Sequence, residues 1–82
     1  MSAREDNDLL RTQFVGGKVL MSRSVYELPA FLRGRALYRM TIYDTFDDDS
    51  DHSEGVFVFA GYVFHWQIAT FAGERSITLS ME

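Results

Sequence analysis

Cysteine is absent from the 82 residues, which excludes a disulfide framework and a thiolate zinc site and fits a reducing compartment. No run of roughly 18 uncharged apolar residues occurs, so no membrane-spanning helix is expected. The charged, polar stretch from Met1 to Asp8 has no apolar run behind it and does not read as a signal peptide. Serine never sits in a G-x-S-x-G elbow, and no glycine-rich phosphate cradle precedes a helix, since Gly16-Gly17 leads into a strand. Nothing assembles a nucleophile, a base and oxyanion donors. The expectation is therefore a protein that is not an enzyme, with no cofactor and no metal. Lysine and arginine are missing from the whole segment Asp44 to Glu54.

What is present suffices for one core. Hydrophobic residues make up 46% of the chain and aromatics 15%, which argues against disorder and for one small domain over residues 1–82. The net charge is −4, but six of the twelve acids are Asp44, Asp47, Asp48, Asp49, Asp51 and Glu54, and the remaining six acids stand against eight bases. The acidity is local. A concentrated field of one sign steers association with a surface of the other sign and repels phosphate, so direct nucleic-acid binding by this face is not expected.

The pattern from Arg4 to Phe14 predicts a helix: Asp6, Asn7 and Asp8 lie near its positive end, Leu10 and Phe14 share a face, and Gly16-Gly17 stop it. Lys18 to Ser22 alternates as a strand. Ser24-Val25-Tyr26-Glu27 has the form of a capping box, and Pro29 suits the first turn of a helix reaching about Arg33 and ended by Gly34. Ala36 to Phe46 reads as a long strand with Tyr38, Met40 and Ile42 on one side. The acidic run then forms a loop. Gly55 to Ala60 and Tyr62 to Phe71 read as strands meeting at Gly61, with Tyr62, Phe64, Trp66 and Ile68 as a core face. Ala72-Gly73-Glu74 turns into a last strand, Ser76 to Met81. The expected fold is α+β: an antiparallel sheet of four to five strands in a meander, with one or two short helices packed on one face.

The acidic loop has three readings. It is a solvated hairpin connection, a calcium site, or a surface that presents carboxylates to Lys and Arg of a partner. Asp47, Asp49 and Asp51 alternate like the first ligands of an EF-hand, but His52 stands where that loop needs glycine and Val58 where it needs glutamate. His52, among carboxylates, is expected to protonate more easily than usual. His65 is expected to point away from the Phe64 and Trp66 face. Phe57, Phe59, Phe71 and Tyr43 are candidates for partial exposure, which suggests a protein interface or a homodimer.

Several short motifs recur in order: Asn7-Asp8 with Leu10-Arg11, Gly17, the strand Val19 to Ser22, Val25 and Leu28, Tyr43-Asp44-x-Phe46 entering the acidic run, Trp66-x-Ile68, and Arg75 ahead of Thr78. Together they resemble an uncharacterised bacterial domain family widespread on plasmids and other mobile elements, whose members read L-N-D-x-L-R, T-x-G-V, F-D-x-F-x-x-D-N-D-P, E-H-D-F-G, W-K-I-D-Y-Y-D and R-V-L-T-I-M. The resemblance covers nearly the whole chain. Its polar positions differ here: Ser50 and His52 replace the Asn and Pro of D-N-D-P, Glu54-Gly55-Val56 does not keep E-H-D-F-G, and Gln67, Ala69 and Thr70 replace Lys, Asp and Tyr. The resemblance implies a retained scaffold without any active or metal site those positions would form.

In size and economy the chain also looks like a phage anti-CRISPR protein. That resemblance implies a non-enzymatic inhibitor in the bacterial cytoplasm that binds a type I CRISPR surveillance complex and blocks target DNA. The expected partner-binding residues are Asp44, Asp47, Asp48, Asp49, Asp51 and Glu54, with Phe57 and Phe59 as apolar anchors. The alternative is a plasmid- or phage-encoded accessory, antitoxin-like protein that neutralises a basic protein.

Overall fold

The computed structural model describes residues 2–82; Met1, and with it the first residue of the expected polar start, lies outside the described residues. Helix α1 (Ala3–Gln13) begins at Ser2, whose Oγ accepts from the Glu5 backbone N–H at 3.2 Å, and Glu5 and Asp6 put carboxylates in its first turn. It ends at Phe14, which takes the left-handed conformation at φ 58° and, with Val15, returns N–H bonds to the Leu10 and Leu9 carbonyls. The stop thus lies before Gly16-Gly17. Gly17 is needed for another reason: a Cβ there would stand 2.6 Å from the Arg75 carbonyl oxygen, so only glycine lets the chain pass β4 this closely.

The remaining elements are β1 (Lys18–Met21), α2 (Arg23–Tyr26), α3 (Ala30–Thr41), β2 (Glu54–Phe59), β3 (Tyr62–Phe71) and β4 (Glu74–Met81). The short α2 is capped by Ser22, not by the Ser24 of the expected capping box; Ser22 Oγ accepts from the Val25 N–H. The sheet runs β1-β4-β3-β2. Strands β2, β3 and β4 form the expected antiparallel meander, through Ala60-Gly61 and Ala72-Gly73, whose positive φ angles of 53° and 81°, and 51° and 80°, are those of tight two-residue hairpin turns. β1 departs from the meander by pairing parallel to β4, Val19 beside Ile77 and Met21 beside Leu79. A parallel pair needs a long crossover, and α2, α3, the loop and two strands supply it. The class is α+β, with three helices and a four-stranded mixed sheet among the described residues.

The segment expected to be a strand from Ala36 is the second half of α3. The helix runs straight through Gly34, where a Cβ would meet nothing within 4 Å. Its buried residues are Ala36 and Met40, four apart, with Leu37 half-buried beside them. That helical spacing meets the core, while Tyr38 and Ile42, which a strand would put on the same side as Met40, are exposed. All three helices pack on one sheet face: Leu10, Val25, Ala36 and Met40 bury against Phe64, Trp66, Ile77 and Leu79. The acidic stretch therefore joins a helix to an edge strand, and α1 lies beside it.

Candidate functional site

Helix α1 presents Arg4, Asn7, Asp8 and Arg11 at spacings of three, four and seven, which is one stripe of the helix surface. That stripe grips the acidic loop. Arg4 Nη2 donates to the carbonyls of Asp48 and Ser50, each at 2.8 Å, and Nε donates again to Ser50. Asn7 Nδ2 donates to the Asp51 carbonyl at 3.0 Å, while its Oδ1 accepts from Arg75 of β4. Asp8 Oδ1 accepts from Arg11 Nη2 at 3.1 Å and from His52 Nδ1 at 2.8 Å; an ionised carboxylate can only accept, so the His52 proton on this bond sits on Nδ1.

Beneath this stripe lies a polar and aromatic hub. Arg11 is buried, and its Nη1 donates to the Met40 and Thr41 carbonyls at 3.3 and 3.1 Å, the negative end of α3. Its guanidinium carbon lies 5.2 Å from the Phe46 ring centre and 5.5 Å from that of Trp66. On Phe46 the His52 imidazole stacks at 3.7 Å and 11°. Tyr43 meets Phe46 and Trp66 edge-on at 5.0 and 5.5 Å. Burial alone raises the Asp8 carboxyl, but the hydrogen bonds and charges of His52 and Arg11 outweigh it and hold Asp8 below the ordinary 3.8.

The clamp takes hold of main-chain oxygens and leaves the acids alone. Asp44, Asp47, Asp48, Asp49, Asp51 and Glu54 are all exposed. Among the described residues none of their carboxylates is in an ion pair. Asp51 differs from the others: its Oδ1 accepts from the Ser53 N–H at 3.1 Å, which tightens the turn, and the Ser53 hydroxyl, together with that N–H, holds the carboxyl below its usual value. No three acidic or histidine side chains among the described residues converge as metal ligands would.

Beside the loop opens a cleft of about 390 Å³, rimmed by Asp47 and Glu54 on one side and by His65 and Gln67 on the other, with Tyr43 and Trp66 in its wall. His65 lies on the sheet face opposite the core, as expected, and its Nε2 meets Glu82 at 2.8 Å. Phe57 and Phe59 are placed differently from the anchors the sequence suggested. They face the helices, half-buried, with Phe57 stacked on Phe64 at 5.2 Å and Arg39 lying over Phe59 at 5.3 Å. The exposed apolar side chains of β2 are Val56 and Val58.

Arg4, Arg11 and Arg75 were not among the expected site residues. The visible signal was the R-x-x-N-D-x-x-R spacing, which puts four hydrogen-bonding side chains on one helix face. Asn7, Asp8, Arg11, Phe46, Trp66 and Arg75 converge in this one hub. Comparison of the chain with protein-family models, with curated proteins and with solved structures finds no match in any of the three.

Proposed function

We propose that this protein is a non-enzymatic binding module whose clamped acidic loop docks on Lys and Arg side chains of a basic partner protein. The observation that carries the reading is the division of labour in the loop: its carbonyls are tied to α1, and the carboxylates of Asp47, Asp48 and Asp49 stay exposed and unpaired. Loop order obtained before binding need not be established during it, which favours affinity. Charge-assisted hydrogen bonds to arginine forks then supply orientation. The cleft rimmed by Asp47 and Glu54 has room for one basic side chain, its stem against Tyr43.

In its most specific form the reading is an inhibitor of a CRISPR surveillance complex, with Asp47, Asp48, Asp49 and Glu54 standing where DNA phosphates would lie in a basic channel. The test is an affinity capture from bacterial lysate at low and high salt with the Asp47→Lys, Asp49→Lys double variant beside the wild type. Like charges placed face to face cost several kcal/mol, so the variant should bind on the order of 100-fold more weakly or worse. Capture of a CRISPR complex that is lost in the variant and in high salt supports the inhibitor. Capture of a different basic protein with the same salt dependence keeps the module and replaces the target. A partner indifferent to the substitutions ends the acidic-loop reading.

A further inference from the structure

Strand β2 is an open edge of the sheet. The hairpin at Ala60-Gly61 makes Phe59 and Tyr62 a hydrogen-bonded pair, and the Ser53 carbonyl accepting from the Ile68 N–H at 2.7 Å continues the same phase. The backbone groups of Phe57 and Gly55 therefore face β3, while those of Glu54, Val56 and Val58 face outward. No proline, lysine or bulge interrupts Glu54–Phe59, and the Val56 and Val58 side chains are 50% and 68% exposed.

The groove along this edge has a polarity. It measures about 240 Å³ and is walled by β2 on one side and by Arg39, Ile42 and Asp44 on the other. Arg39 sits at the Phe59 end, over that ring. Asp44 sits toward the Gly55 end, because its two neighbours, Tyr43 and Thr45, line the cleft beside Glu54 and Gly55. Among the described residues neither charge has an ion-pair partner. A positive charge at one end and a negative one at the other is the arrangement that matches itself after a two-fold rotation.

We propose that β2 pairs antiparallel with β2 of a second copy, Val56 opposite Val56, giving a continuous eight-stranded sheet with Arg39 of each copy facing Asp44 of the other. This register satisfies the outward groups of Glu54, Val56 and Val58 with about six inter-chain hydrogen bonds. It brings the two α3 helices side by side, where the exposed Tyr38 and Ile42 of each find apolar cover. The two-fold also keeps the acidic loops apart: the Glu54 residues are separated by on the order of 14 Å along the strands, beyond the ~8 Å screening length at physiological salt. The dimer shows two acidic loops at opposite ends.

Sedimentation equilibrium over a concentration series up to hundreds of micromolar tests this, and the acidic-loop substitutions Asp47→Lys and Asp49→Lys should leave the mass unchanged, so the two proposals fail separately. The wild type should reach twice the 9.4 kDa chain mass. Val56→Lys should weaken the dimer at least about tenfold, and Arg39→Asp and Asp44→Arg should each weaken it, whereas the two reversals combined restore the pair in swapped form and recover the association. Hydrogen exchange on the wild type needs no variant: the Val56 and Val58 amides should become protected as concentration rises. A chain that is monomeric throughout overturns the proposal and leaves the edge to a strand of another protein. A dimer indifferent to Val56→Lys, or one in which these amides exchange freely, overturns it equally.

Discussion

Replacing Asp8 by asparagine isolates the bond between α1 and the loop hub. Asp8 is the only carboxylate among the described residues paired with the buried Arg11, whose side chain is 5% exposed against 38% for Asp8. Stripping a buried charge of its partner costs about 3–5 kcal/mol when both are enclosed. Here water reaches more than a third of the carboxylate, asparagine still accepts one hydrogen bond, and Arg11 keeps the Met40 and Thr41 carbonyls. The expected loss is therefore about 1–2 kcal/mol, or a fall in Tm of roughly 5–15 °C for a domain of this size. Because Asp8 is held below its ordinary 3.8 in the fold, its contribution is present above that value and disappears as pH falls through the lower, folded one. Urea titrations of both proteins across acid pH should show a stability gap that is full at neutral pH and narrows as the pH falls below 3.8. Glu27→Gln is the control: its partner Arg23 is almost wholly exposed, and stability should stay within about 0.5 kcal/mol. No gap at neutral pH, or one that persists undiminished in strong acid, would refute the role given to Asp8.

Four further substitutions test the packing. In Gly55→Ala the new Cβ would lie 2.5 Å from Trp66 Nε1 and 2.7 Å from Tyr43 Cζ, so the aromatic cluster must shift; a loss of about 1–3 kcal/mol and a changed Trp66 fluorescence are expected. Gly34→Ala fills open space in the middle of α3 and should stabilise by about 1 kcal/mol in thermal melts. Ala60 and Ala72 both hold the left-handed conformation at hairpin positions that favour asparagine, and Ala60→Asn or Ala72→Asn should each raise stability by about 0.5–1 kcal/mol in urea titrations.

How much of this was legible depended on whether the deciding contacts were local. The two hairpins were readable because Ala60-Gly61 and Ala72-Gly73 punctuate runs that alternate strictly, and α1 because its acids and apolar face agree. The segment from Ala36 was ambiguous: Tyr38, Met40 and Ile42 fit a strand, while Ala36, Leu37 and Met40 fit a helix equally well. Gly34 tipped the sequence reading toward a break, but the core decided, since only the helical set reaches Phe64 and Trp66. The parallel pairing of β1 with β4 joins residues nearly sixty positions apart, beyond the reach of any local pattern. The acidic loop was visible from charge alone. What holds it was not, because the grip is on carbonyl oxygens, which every residue carries and no sequence displays.

A grip on carbonyl oxygens determines which acids can report on the proposed binding. A run of carboxylates repels itself, and left alone it would populate many conformations. Holding it through side chains would neutralise the charges it presents; holding it through Asp48, Ser50 and Asp51 carbonyls does not. Charge and order are consequently separable at Asp47, Asp48 and Asp49, whose side chains make no hydrogen bond to another described residue. They are not separable at Asp51, whose carboxylate also closes its own turn on Ser53, nor at Asp8, which ties His52 and Arg11 together. Substituting Asp51 or Asp8 would weaken the proposed binding by loosening the loop even in a protein whose partner never touches them. Asp47→Lys and Asp49→Lys carry no such ambiguity, since the backbone clamp that they leave intact is made by Arg4 and Asn7.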